Sequence, residues 1–240
     1  MSLKKVLLFT LVFFFTIISS LYALETEGIH LLKNNALSFK VGPHIYVDND
    51  YMDFWKVDDV DFIGATGELA YERVVSQRMS IELSLGFFRS TEGHKNVLFP
   101  GDSTDLTIKN FYLSPSAKYA IPINNSFVLY VGIGPDYYRT RKFHFYRFGF
   151  INYEINESFN TFGFHGLIGI EYYFFKQPVK HGFYDFPVSL IFEYKYSWIE
   201  IDDADKVLLD KVNTLFGTTY LYNDLDVGGH QIFFGVRYHF

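Results

Sequence analysis

Cysteine is absent from the 240 residues. That excludes disulfides, thiolate zinc sites, a cysteine nucleophile and a lipid anchor on cysteine. Charge is sparse, at 20% of residues, and the formal net charge is −6. The amino-terminal stretch holds Lys4 and Lys5 and no acid, so removing it takes −6 to −8. A chain with that balance is not expected to bind nucleic acid. Metal chemistry is equally thin, because no pair among the eight His has helical or hairpin ligand spacing. What the chain does hold is aromatic: 28 Phe and 19 Tyr, with aromatics at 20%. These are strand formers, and they suit an apolar wall with amphipathic rims.

Residues 1–23 read as a signal peptide. Lys4 and Lys5 form its basic start, Val6 to Ile18 its apolar segment, and Ser19 to Ala23 its cleavage region. Leu21 departs from the small-residue preference there, and Val6 to Leu24 is almost long enough for an uncleaved anchor. Residues 24–36 are expected as a periplasmic lead and residues 37–240 as one β-barrel domain.

From Leu37 onward the chain alternates with period two in segments of about ten residues, the length a tilted membrane strand needs. Eight are expected: 37–48, 62–72, 79–88, 109–120, 127–138, 161–174, 188–199 and 231–240. In the last, Ile232, Phe234, Val236, Tyr238 and Phe240 share one face, and Gln231, Phe233, Gly235, Arg237 and His239 the other. Alternation that runs to an aromatic terminal residue needs a partner strand to its end, and a closed barrel supplies one. That partner is expected to be the first segment. Pro115 lacks a ladder donor and predicts a bulge in the fourth. Connections after the even segments are short or moderate, and those after the odd ones are long (49–61, 89–108, 139–160 and 200–226). A soluble barrel would put its apolar face inside and polar groups outside, whereas here the polar face carries the small and ionisable residues and the other is nearly free of charge, the inverse pattern. The fold class is therefore all-β: an eight-stranded antiparallel up-and-down transmembrane barrel with short periplasmic turns and long external loops. Tyr71, Tyr119, Tyr172 and Tyr238 fall at the periplasmic ends of the outward stripes, as an interfacial ring.

The spacing Gly235-x-x-Tyr238-x-Phe240 resembles the carboxy-terminal signal by which barrel-assembly machinery recognises its clients, with Phe233 standing where a polar residue is usual. Tyr130–Tyr138 and Gly166–Phe174 resemble the glycine-aromatic strands of the small OmpA/OmpX/OmpW-like outer-membrane barrels. The resemblance covers nearly the whole chain after the leader. It implies the outer membrane of a Gram-negative-type bacterium, and contact with outer-membrane lipid, lipopolysaccharide and the assembly machinery. It does not fix an activity. A non-enzymatic monomer that is structural or acts through external loops is the first expectation. A narrow channel for small or apolar solutes, as an OmpW-like barrel implies, is the second. A lipid-modifying hydrolase is the third, and it lacks a visible nucleophile-base pair. No cofactor is expected.

An eight-stranded barrel is just wide enough for side chains to fill it. Lys40, Glu68, Glu72, Glu82, Lys118, Glu171, Glu193, Lys195 and Arg237 fall on the inward face with His44, His165 and His239. Buried charges are tolerated when paired, so an ion-pair network is expected, either as a plug or as a gated polar conduit. Outside the membrane, Arg139, Arg141, Lys142 and Arg147 alternate with Phe143, Phe145, Phe148 and Phe150. These bases are expected to meet lipopolysaccharide phosphates. The alternative is that strands five and six simply continue as an aromatic hairpin. The acidic stretch 48–61 lacks the glycine and terminal Glu of a calcium loop and reads as solvated. Phe99-Pro-Gly-Asp-Ser103 reads as a turn. In 202–226, Leu208, Val212, Leu215 and Phe216 have helical spacing, with Asp203 or Asp205 as cap and Gly217 as stop.

Overall fold

The computed structural model describes residues 35–46, 54–55, 63–95, 97–98, 100–124, 126–174 and 187–240. The expected leader, residues 24–34, and the acidic stretch apart from Phe54 and Trp55 lie outside them.

The strands are β1 (Asn35–Ile45), β2 (Ile63–Val74), β3 (Met79–Lys95), β4 (Ser103–Pro122), β5 (Phe127–Phe148), β6 (Ile151–Tyr173), β7 (Val188–Trp198), β8 (Glu200–Ile201), β9 (Leu225–Asp226) and β10 (Gly229–His239). Eight of them close an antiparallel barrel in the order β1-β10-β7-β6-β5-β4-β3-β2, and β8 and β9 form a separate pair. The closing seam sets Leu37 opposite Tyr238, Phe39 opposite Val236 and Val41 opposite Phe234. The last strand thus finds its partner in the first, and the sheet has no free edge.

Burial follows the two-residue period in the sense opposite to a soluble protein. Leu83, Leu85, Phe87 and Phe111 are 43–50% exposed, while Lys40, Glu82 and Glu193 are at 0%. Exposed apolar side chains over a charged interior are stable where the surrounding solvent is lipid. Tyr71 and Tyr238 both sit opposite Leu37, and Tyr119 sits opposite Met79, so three of the four tyrosines mark the periplasmic rim.

Two expectations are corrected. The β4–β5 ladder keeps one register across Pro115, with Leu113 opposite Tyr137 and Ala117 opposite Ile133. A bulge would shift that register by one residue, so Pro115 interrupts pairing without inserting a residue. The second correction concerns 89–108 and 139–160, expected as long loops, although for 139–160 continuation of strands five and six was the stated alternative. Residues 89–95, 103–108, 139–148 and 151–160 are strand: β4, β5 and β6 run 20, 22 and 23 residues, about twice what a membrane crossing needs. The β5–β6 ladder continues to Phe148 opposite Ile151. The sheet therefore rises well beyond the membrane as an external extension.

Above the barrel, α1 (Lys206–Phe216) ends at Gly217, whose φ of 64° is the left-handed conformation glycine adopts freely. Leu208, Leu209 and Val212 face inward and join Trp55, Tyr146 and Ile199 in an apolar core. Leu215, expected on the same face, is instead 47% exposed. Two unlike interiors are thus stacked along one barrel: an ionic one at membrane level and an apolar one outside.

Candidate functional site

Because successive side chains point to opposite faces, every second residue of each strand delivers its group to the lumen. β1 contributes Lys40, β2 Glu68 and Glu72, β3 Glu82, β4 Lys118, β6 Glu171, β7 Glu193 and Lys195, and β10 Arg237. These nine side chains come together. The Lys40 ammonium lies 2.5 Å from Glu68, 2.7 Å from Glu193 and 3.2 Å from Glu82. Lys118 reaches Glu82 at 2.9 Å and Glu72 at 3.4 Å. Lys195 lies 3.6 Å from Glu68. Arg237 bridges Glu171 at 2.7 Å, Glu72 at 3.0 Å and Glu82 at 3.2 Å. The carboxylates of Glu68, Glu82 and Glu193 have oxygens within 4.8 Å of one another, the geometry of a metal site, and the tethered ammonium of Lys40 fills it.

Local packing explains why these long side chains fit. Gly86 stands opposite Tyr112 and Gly169 opposite Tyr130. A Cβ at either glycine would meet the tyrosine ring, at 1.9 Å and 2.4 Å. The glycines let the rings lie flat across the neighbouring strand, where Tyr112 donates to Glu68 and Tyr130 to Glu193, each at 2.9 Å. Gly235, part of the carboxy-terminal signal with Tyr238 and Phe240, also has a packing role: a Cβ there would meet Lys40 Cγ at 2.8 Å. Tyr238 and Phe240 are exposed on the outer wall.

Asp136, on the inward face of β5, is buried beside these nine. The structure joins it to His165, whose Nδ1 is 2.9 Å from Asp136 Oδ1, while Ser116 Oγ is 2.8 Å from His165 Nε2. Ser114 also donates to Asp136, and Lys195 donates to Ser114 at 2.9 Å. A serine, an imidazole and a carboxylate in this order are the parts of a nucleophile-base pair that the sequence did not reveal. They come from β4, β5 and β6, so only the cross-strand register brings them together. Catalysis at such a triad also needs donors aimed at a developing oxyanion. Here Ser116 is buried, paired to β3 opposite Glu82, and the β4–β5 ladder is interrupted beside it between Leu113 and Ala117. Among the described residues, the ionic section at membrane level holds six carboxylates (Glu68, Glu72, Glu82, Asp136, Glu171, Glu193) against four fixed cations (Lys40, Lys118, Lys195, Arg237). Two of the six, Asp136 and Glu171, each accept a histidine, His165 and His239, at 2.9 Å.

The external cap is held by polar contacts as well as by its apolar core. Asp205 caps α1 in position, yet its side chain turns away from the helix. It accepts from Trp55 Nε1 at 3.3 Å and from the backbone and side chain of Asn223 at 2.8 and 2.7 Å. Burial pushes the Asp205 carboxyl above its ordinary range, against the pull of those donors. The same burial holds His144, which packs edge-on to Trp55, well below the usual imidazole range.

The basic segment is split by parity. Arg139, Arg141 and Arg147 are exposed on the outer face. Lys142 has the opposite parity and is buried, 2.8 Å from Glu157 and donating to the Ala204 carbonyl. Its expected contact with lipopolysaccharide is therefore corrected: it ties the extension to the cap.

A family model for the outer membrane protein beta-barrel domain matches residues 32–240. Among curated proteins, none matches. Solved structures similar to the chain include Neisserial surface protein A, at 14% identity and a TM-score of 0.47, over 86% of this chain and 97% of that one. The amino-terminal barrel domain of Pseudomonas aeruginosa OprF has 13% identity and a TM-score of 0.42, over 87% and 98%. Ail of Yersinia pestis, the attachment invasion locus protein, has 12% identity and a TM-score of 0.43, over 86% and 100%. With the family model spanning the barrel, the chain belongs to the outer membrane protein beta-barrel domain family, and its location is the outer membrane.

Proposed function

We propose that this protein is a sealed, non-enzymatic outer-membrane barrel that meets its surroundings through its external extension. The observation that carries this reading is the ammonium of Lys40 held among Glu68, Glu82 and Glu193 at the centre of the lumen. An ion passing through would have to displace a buried charge from three partners, and removing such a partner costs about 3–5 kcal/mol. The apolar cap above it adds a second closure.

One observation favours the conduit reading. On the external side of the ionic core, Ser90 Oγ, Thr140 Oγ1 and both polar atoms of the Gln231 amide are buried without a partner among the described residues. Buried polar atoms of this kind call for water, so part of the lumen is hydrated. Hydration of one section does not open the section below it. In planar bilayers the folded protein is expected to insert without conductance steps. Sustained unitary steps from a homogeneous, heat-modifiable preparation would overturn the sealed reading in favour of the conduit.

A further inference from the structure

We propose that Arg89, Lys109 and Arg141, with Arg139 beside them, form a binding site on the outer wall for the phosphates of an outer-leaflet lipid headgroup. This names the partner of the external surface and rests on the reading that the exterior is where the protein acts.

The site is a product of register. Arg89 stands directly opposite Lys109, and Lys109 directly opposite Arg141, so three cations lie side by side on β3, β4 and β5. Arg139 is opposite Phe111, one outward position nearer the membrane. Arg89, Arg139 and Arg141 are exposed and Lys109 is half-buried, with its ammonium 4.8 Å from the centre of the Phe143 ring. Like charges directly opposite each other, about 5 Å apart, destabilise a sheet. Among the described residues no carboxylate pairs with these four. Asp105 and Glu154, also on this outer face, lie four residues further out along their strands than the row, or roughly 13 Å. An external anion is what the arrangement lacks.

Height identifies that anion. Arg89 is ten residues beyond Met79, and Lys109 ten from Tyr119, the pair at the periplasmic rim. Ten residues span about 34 Å, which a tilt of about 40° reduces to about 26 Å along the barrel axis, matching an apolar band about 25 Å tall. The outward residues between on β3, Ile81, Leu83, Leu85 and Phe87, are all apolar. The cations therefore begin where the lipid tails end, at the depth of headgroup phosphates. Guanidinium groups bind phosphate oxygens in pairs, and the ammonium adds a point charge between them.

The test titrates the detergent-folded full chain with micelles of bisphosphorylated lipid A, of the same lipid stripped of phosphate, or with inorganic phosphate. Binding of the phosphorylated lipid is expected to fall about a hundredfold in Arg89→Ser/Lys109→Ser/Arg141→Ser, at about fivefold per lost surface cation. Arg89→Lys/Arg141→Lys is expected to retain most of it, and heat-shifted gel migration reports folding of each variant. The wild-type comparison of the two lipids stands whether or not the triple variant folds. Equal affinity for both lipids, unchanged affinity in the folded variant, or displacement by millimolar inorganic phosphate would overturn the proposal. Conductance, which tests the sealed lumen, is unaffected by any of these outcomes.

Discussion

Replacing Lys40 with Met is expected to destabilise the barrel by about 3–5 kcal/mol, the cost of leaving buried charge unpaired. Lys40 is the one cation in contact with Glu68, Glu82 and Glu193 together. Without it, three carboxylates remain with oxygens inside a 4.8 Å cluster. Lys118 still serves Glu82, and Lys195 still approaches Glu68, so the effect is a graded loss rather than a collapse. Denaturant titration of protein folded into lipid vesicles measures it. Adding Glu68→Gln to the Lys40→Met chain removes one of the stranded charges and is expected to recover part of the loss. Glu68→Gln alone is expected to destabilise. A Lys40→Met barrel as stable as wild type would show that the network contributes nothing to holding the fold.

The second large effect concerns the cap. Trp55 is fully buried, its indole N–H is bonded to Asp205, and its ring packs against Phe54 and His144. Trp55→Ala removes the largest side chain of the external core, at a typical cost of about 3–5 kcal/mol. The barrel ladder does not depend on that core, so the loss is expected to appear as local opening. Hydrogen exchange should rise in α1 and in β8 and β9, while the amides of β1, β10 and β7 keep their protection. Uniform loss of protection along the whole chain would mean that cap and barrel unfold as one unit.

These effects differ in how far the sequence announces them. The closing seam was legible because alternation to Phe240 demands a partner, and Leu37 opposite Tyr238 supplies it. The nine lumen charges were legible for the same reason, since parity alone sends them inward. What parity could not give was proximity across strands. Ser116, Asp136 and His165 sit on three strands whose relative shift is set by barrel closure, so no local spacing reveals them. The extension of β5 and β6 was legible only as an alternative to a loop, because its outward residues mix Arg139 and Arg141 with Phe143 and Phe145. Above the membrane an outer wall no longer has to be apolar. Carried past Tyr138, the same two-residue count separates Lys142 from Arg141, and that signal was present in the sequence. The row of Arg89, Lys109 and Arg141 was hidden differently. Its members are far apart along the chain and meet only through pairing. Trp55 belongs to a stretch whose acids suggested a solvated loop, and nothing in its neighbours marks it as a core residue.

The central claim is that the lumen is closed at membrane level, and the absence of cysteine allows a clean measurement of it. Ser116→Cys places the only thiol of the chain within that section, at a position 4% exposed. A membrane-impermeant maleimide, applied to either side of vesicles holding the folded variant, is expected to leave it unlabelled and to label it fully after unfolding. Rapid labelling of the folded, heat-modifiable protein from either side would show an open path to the ionic core and contradict the claim.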